Sequence, residues 1–171
     1  MDGFLEAIKK RDIEIKGKRI LLLGAGGAAR AIIAGMAKEK AEEVNIVNRT
    51  QNNAIKLSEF AEKIGLKTKI KNLEELNQKI EKFDMIINST SIGLKNETSP
   101  ILFDRANQET IVYDIVYSPM NTDLIKKAKE KKLQVIYGYE MLLGQATRAF
   151  EIWHGMEAPY NAMKKALLGG F

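Results

Sequence analysis

The run Gly24-Ala25-Gly26-Gly27-Ala28-Ala29 directly follows the apolar stretch Ile20-Leu21-Leu22-Leu23. Gly24 permits a tight turn, Gly26 lets a ligand approach bare backbone, and small Ala29 lets a following helix pack closely on the strand. The chemistry is anion recognition, because unpaired N–H groups and the positive end of a helix dipole then face a pyrophosphate. Gly24, Ala25, Gly26, Gly27 and Ala28 are the candidate pyrophosphate residues. A second group, Asn48-Arg49-Thr50, follows the next apolar stretch. A dinucleotide fold that prefers NAD places a carboxylate there for the ribose 2′-hydroxyl. Neutral Asn48 removes that carboxylate, Arg49 offers a planar fork of donors to a phosphate, and Thr50 adds a hydroxyl. The pattern points to NADP(H) over NAD(H). Two plainer readings stand beside these: a glycine turn that binds nothing, and Asn48 and Thr50 serving only as helix caps beside a solvated Arg49.

These residues need strands and helices to hold them, and the sequence supplies both in alternation. Strands are expected at Arg19–Leu23, Val44–Val47, Lys67–Ile70, Met85–Asn88, Ile111–Asp114 and Gln134–Tyr137. Helices are expected at Phe4–Lys10, Ala28–Lys38, Asn52–Ile64, Leu73–Lys82, Asp123–Lys131, Met141–Trp153 and Tyr160–Leu168. Gly65 suits the left-handed end of its helix, and the alternating charge of Lys67–Ile70 marks a sheet edge. The alternation implies an α/β fold: a doubly wound parallel sheet of about six strands, a Rossmann-type NADP-binding domain. Residues 1–171 are expected to form this single dinucleotide-binding domain. The segment Ser89–Asn107 is the expected long loop, lying over the ligand crevice at the carboxyl ends of the strands.

Composition narrows the function classes. Lys and Arg number 27 against 22 Asp and Glu, a formal net charge of +5. That excess is scattered, without the dense basic stripe and interleaved aromatics of a nucleic-acid binder. There is no cysteine, which removes disulfides and thiol catalysis and agrees with a cytoplasmic setting. No apolar run is long enough for a bilayer, and the opening residues do not resemble a signal peptide. With one histidine and no cysteine, no metal cluster is expected. Met141, Leu142, Phe150 and Trp153 read as core or interface residues, and His154 as a charge near a helix C-terminus.

Several segments converge on one family. Gly24-Ala25-Gly26-Gly27-Ala28, Asn48-Arg49-Thr50, Ile87-Asn88-Ser89-Thr90-Ser91-Ile92-Gly93, Tyr113-Asp114-Ile115-Val116-Tyr117-Ser118-Pro119 and Gly138-Tyr139-Glu140-Met141-Leu142-Leu143-Gly144-Gln145-Ala146 occur in that order. Phe150-Glu151-Ile152-Trp153-His154-Gly155 follows. Together they resemble the cofactor-binding half of the shikimate dehydrogenases, including the quinate/shikimate branch. The resemblance implies reversible, NADPH-dependent reduction of 3-dehydroshikimate to shikimate, in aromatic amino-acid biosynthesis. It assigns Asn48, Arg49 and Thr50 to the 2′-phosphate end, Thr90 to the nicotinamide ribose, and Ile115 and Gly138 to the nicotinamide. Tyr117 and Gln145 would reach the substrate; Asp2, in the opening Asp2-Gly3-Phe4-Leu5, would be the catalytic aspartate.

Two departures from the family pattern stand out. The family's catalytic lysine lies in an Asn-Val-Thr-x-Pro-x-Lys segment that these residues lack, so the N-terminal substrate domain is expected to be absent and the isolated chain catalytically deficient. Asn52 and Asn53 stand where a further basic residue often follows Asn-Arg-Thr, and Lys56 is the next cation. Apolar surface left without that domain, on the opening helix and on Met141–Trp153, is expected to drive self-association as a homodimer. A non-catalytic NADP-sensing module and a quinate dehydrogenase half are the alternatives.

Overall fold

The computed structural model describes residues 1–169. Its strands are β1 (Arg19–Leu23), β2 (Glu43–Val47), β3 (Thr68–Ile70), β4 (Met85–Asn88), β5 (Ile111–Asp114) and β6 (Gln134–Ile136). Its helices are α1 (Asp2–Lys9), α2 (Gly27–Lys38), α3 (Gln51–Lys63), α4 (Leu73–Asn77), α5 (Asp123–Glu130), α6 (Gly138–His154) and α7 (Tyr160–Leu168). All strand pairings are parallel and the sheet order is β3-β2-β1-β4-β5-β6. The doubly wound arrangement expected from the alternation is therefore present, with β3 at an edge. Strand order reverses between β1 and β4, the switch point at which such sheets open a crevice.

Burial on both faces explains why β1 reads as continuous leucine and isoleucine instead of alternating. Ile20 and Leu22 join Phe4, Ile8, Ile32, Ile33, Met36, Val44, Ile46 and Tyr113 in one core. Leu21 and Leu23 face the other way, into Leu76, Ile80, Ile86, Val112, Leu124 and Ala128. One strand thus anchors both layers. Gly65 adopts φ +79°, the left-handed conformation expected after α3.

The structure departs from the sequence expectation in four places. The helix expected over Leu73–Lys82 breaks: α4 ends at Asn77, Lys79 swings to φ −127°, and a separate 3-10 turn covers Ile80–Lys82. The Asn77 side chain is committed to the long loop, donating to the Pro100 carbonyl at 2.9 Å and accepting from the Leu102 N–H at 3.2 Å. Helix α6 starts at Gly138, not Met141, because the Glu140 carboxylate reaches back to the Tyr137 N–H at 3.0 Å. His154 is the last residue of α6 and packs on Phe150 with ring centroids 4.4 Å apart.

The fourth departure concerns the apolar faces. Phe4, Leu5, Ala7 and Ile8 of α1 are buried, so α1 contributes no apolar patch for self-association. Two glycines make this possible: a Cβ on Gly3 would stand 2.5 Å from Gln145 Cγ, and one on Gly144 would stand 2.9 Å from the Gly3 carbonyl oxygen. Helices α1 and α6 cross almost backbone to backbone. The three most exposed large apolar side chains instead lie at the end of α6 and just beyond it, with Ile152 65%, Trp153 79% and Met156 62% exposed. Trp153 is not a core residue.

The α1 anchor is Phe4, fully buried and stacked on Tyr113 with centroids 5.2 Å apart. Removing its ring is expected to cost about 3–5 kcal/mol. Denaturant unfolding of Phe4→Ala should show that loss as a lower midpoint with an unchanged slope.

Candidate functional site

Parallel strands deliver their carboxyl ends to one edge of the sheet, and a groove of about 930 Å³ runs along it. Its volume falls in the range of ligand sites. It is lined by Gly24, Ala25 and Gly26 after β1, Asn48, Arg49 and Thr50 after β2, Lys71 after β3, and Ser89 and Thr90 after β4. Ile92 and Pro100 of the long loop also line it, so that loop does border the crevice.

The turn at Gly24 is tightly determined. Its φ is +103°, and an added Cβ would meet Ser89 Oγ at 2.7 Å. The Gly24 N–H donates to the Val47 carbonyl at 2.8 Å. Gly26 and Gly27 are different, since an added Cβ at either would meet nothing within 4 Å. The protein's own packing does not need glycine there; a ligand pressed against the backbone would. No side chain caps the start of α2 and no acidic residue occupies its first turn, which leaves its first N–H groups for an anion. These features fit a dinucleotide pyrophosphate.

Beside the turn, Asn48 Nδ2 donates to the Thr50 carbonyl at 2.7 Å. Thr50 occupies the N-cap position of α3 but makes no side-chain cap bond. Neither side chain therefore caps α3 as the plainer reading expects, although Thr50 stands at the N-cap position. Arg49 is exposed and forms no ion pair among the described residues. Arg30, the nearby cation of α2, is instead occupied over the Phe60 ring at 4.1 Å. Among the described residues the groove lining contains no carboxylate.

The other predicted site residues lie along the same edge or away from it. The Thr90 hydroxyl donates to Asn88 Oδ1 at 2.6 Å and accepts from the Ile92 N–H at 3.1 Å. The Ile115 N–H donates to the Asn88 carbonyl at 3.1 Å. Gly138 abuts the Ile115 and Val116 carbonyls so closely that no Cβ would fit. Tyr117 is 46% exposed on the loop after β5. Asp2 and Gln145 are exposed at the α1–α6 crossing. Asp2 borders a separate cavity of about 350 Å³ with Lys9, Lys38 and Arg148. Asp2, Tyr117 and Gln145 therefore lie outside the groove lining, as do Gly27, Ala28, Ile115 and Gly138.

Two matching sequence profiles place the chain. One, described as Shikimate / quinate 5-dehydrogenase, covers residues 6–134; the other, described as Shikimate 5′-dehydrogenase C-terminal domain, covers residues 138–168. The chain belongs to the shikimate/quinate 5-dehydrogenase family. It is 64% identical, over its whole length, to a shikimate dehydrogenase (NADP(+)) of Nitrosopumilus maritimus, of which it covers 63%. The shikimate 5-dehydrogenase of Listeria monocytogenes, solved with shikimate and NAD, superposes with a TM-score of 0.88 at 34% identity, over 96% of this chain and 61% of that one. The Thermus thermophilus enzyme, solved with NADP(H) and shikimate, gives 0.81 at 33% identity, over 99% and 61%. The chain thus spans about three-fifths of the length of these relatives.

Sequence reading missed Lys71 and the pairing of Asn88 with Asp114, although Asp114 does bond the turn that follows its strand, as its place at a strand end suggests. Lys71 reaches the groove only because β3 pairs with β2. Asn88 and Asp114 form the buried hub behind the site: Asn88 Nδ2 donates to Asp114 Oδ1 at 2.9 Å, as does the Val116 N–H at 3.0 Å, and Thr122 Oγ1 donates to Asp114 Oδ2 at 2.6 Å. Polar residues at the ends of two apolar strands were the available signal for this pair. Among the described residues no cluster of His, Asp or Glu is placed to hold a metal ion, and no helix is long and apolar enough to cross a membrane.

Burial pushes the Asp114 carboxyl above its ordinary range, against the pull of the Thr122, Val116 and Asn88 hydrogen bonds. The folded state therefore binds this proton more tightly than the unfolded chain, and the group's contribution to stability falls as pH rises from about 4. Asp114→Asn has no such proton. The stability of wild type minus that of the variant should drop as pH rises from about 4 towards neutrality; a pH-independent difference in denaturant titrations would contradict it.

Proposed function

We propose that this chain is the coenzyme-binding part of a shikimate dehydrogenase and takes NADP(H) in the groove at the strand ends. The observation that carries this is the pairing of a glycine-rich turn at Gly24–Gly27 with Arg49 one strand over, which forms no ion pair and lines a groove without carboxylates among the described residues. The turn and the first N–H groups of α2 hold the pyrophosphate. Arg49, with Asn48 and Thr50, meets the 2′-phosphate, where a carboxylate would repel it. The Listeria relative's complex with NAD makes coenzyme choice a question for this chain's own residues, and Arg49 favours NADP(H).

When bound, the reduced coenzyme supplies a hydride to a keto carbon. The chain's task is to place it. Thr90 sits beside the nicotinamide ribose, and Ile115 with Gly138 provides a backbone wall for the nicotinamide. Tyr117 and Gln145 face the substrate, 3-dehydroshikimate or shikimate. Reduction builds negative charge on the carbonyl oxygen, so a proton donor is needed there. Asp2 in its ionised form only accepts hydrogen bonds, and it orients a donor without being one. The lysine-bearing motif of the family does not occur in these 171 residues. The chain therefore binds coenzyme without turning over shikimate until that segment is supplied.

Calorimetric titration should give NADP(H) binding tighter than NAD(H) binding. Arg49→Ala should weaken NADP(H) by about tenfold or more and leave NAD(H) unchanged, as loss of a charge-assisted phosphate contact requires. An assay of the purified chain with shikimate and NADP+ should show no turnover. Equal binding of both coenzymes by wild type and variant would reject the assignment of Arg49, and robust turnover by the chain alone would reject the division of labour.

A further inference from the structure

The groove holds a second cation, contributed by a different strand. Lys71 follows β3 directly, and its N–H donates to the Ile46 carbonyl at 3.0 Å. The pairing that sets Ile46 beside Ile70 thereby extends to Lys71. Parallel register puts this residue at the carboxyl end of β3, next to the end of β2 from which Asn48, Arg49 and Thr50 emerge. Arg49 and Lys71 are the two cations of the lining.

Lys71 is engaged, but by a partner that can be exchanged. Its Nζ lies 2.8 Å from Glu75 Oε1, with the two side chains 32% and 34% exposed. Asn72 Oδ1 accepts from the Glu75 N–H at 2.8 Å, fixing the first turn of α4 and keeping Glu75 within reach. Lys79 approaches the same Glu75 oxygen at 3.6 Å. Solvated pairs one helical turn apart are weak. A phosphate monoester carries close to twice the charge of a carboxylate and three acceptor oxygens, so it competes well for the ammonium. Lys79 would remain beside Glu75, and release of Lys71 would not strand the carboxylate.

We propose that Lys71 is a coenzyme-selecting residue: it exchanges Glu75 for the ribose 2′-phosphate of NADP(H) and acts across the groove from Arg49. This rests on the reading of the groove as an NADP(H) site. It makes Glu75 the internal competitor for the same ammonium. Discrimination between the two coenzymes then comes from the ends of two neighbouring strands.

The test titrates NADP+ and NAD+ into the 171-residue chain and its Lys71→Ala, Lys71→Arg, Glu75→Gln and Arg49→Ala variants, with thermal unfolding to establish that each is folded. Lys71→Ala should weaken NADP+ by about tenfold and leave NAD+ unchanged. Lys71→Arg should retain most of the affinity, and Glu75→Gln should tighten NADP+ by removing the competitor. Adenosine 2′,5′-bisphosphate should repeat the Lys71→Ala loss, and adenosine 5′-monophosphate should not. Unchanged NADP+ affinity in Lys71→Ala, alongside a loss in Arg49→Ala, overturns the role of Lys71 and leaves the groove assignment standing. Equal weakening of both coenzymes in Lys71→Ala also overturns it, because a phosphate contact is selective. If wild type fails to discriminate and Arg49→Ala changes nothing, the groove assignment falls and the proposal with it.

Discussion

Backbone can hold an anion only where the chain turns sharply and no side chain intervenes. That requirement is concentrated at Gly24. The residue sits at φ +103° with Ser89 Oγ 2.7 Å from the place a Cβ would take. Ser89 is itself fixed, since both its N–H and its hydroxyl donate to the Leu23 carbonyl, at 2.8 and 2.7 Å. On the other side the Gly24 N–H is tied to Val47. The turn is therefore clamped between the strands flanking β1, at the point where strand order reverses. The crevice, the uncapped α2 terminus and the neighbouring Asn48–Thr50 segment all take their positions from this clamp.

A second buried device organises the other half of the edge. Asn88 ends β4 and Asp114 ends β5, and the two are level in the sheet. Their side chains bond to each other, and from there to Thr90, Ile92, Val116 and Thr122. One buried pair thus fixes the starts of two loops and the N-cap of α5. Burying a carboxylate is costly unless its acceptors are filled; three donors meet this one. The cost is repaid in loop placement, which separate surface contacts would specify less well.

Much of this was legible in the sequence because each element is locally consistent. The β1 stretch, its glycine turn, the edge character of β3 and the left-handed Gly65 all follow from residue type and spacing. What was not legible depends on partners distant in the chain. The break after Asn77 arises from its bonds to the Pro100–Leu102 segment, and nothing nearby in sequence announces it. The burial of α1 depends on Gly3 meeting Gly144. Trp153 reads as core or interface from its type, and of these two the core is excluded by its exposure on α6. Asn48 and Arg49 could be singled out from their place after a strand. Lys71, 22 residues beyond Arg49, joins them only once the parallel order of β3 and β2 is known. Asp2, Tyr117 and Gln145 were identified through family resemblance and not through spacing, and they share no cavity with the glycine turn.

The two ends of the proposed coenzyme-binding edge are built on opposite physics. At the Arg49 end the groups are long, solvated and loosely committed. They supply charge, which acts over several ångströms and tolerates imprecise placement, at little desolvation cost. At the Ile115 end the contacts are backbone against backbone, with Gly138 pressed on two carbonyls and a buried carboxylate behind them. On the proposed reading this is where a hydride leaves the coenzyme, and hydride transfer depends on placement within a fraction of an ångström. Rigidity is therefore needed at one end and adaptable charge at the other. A sheet edge suits both demands, because buried strand ends give fixed anchors while the residues just beyond them reach solvent.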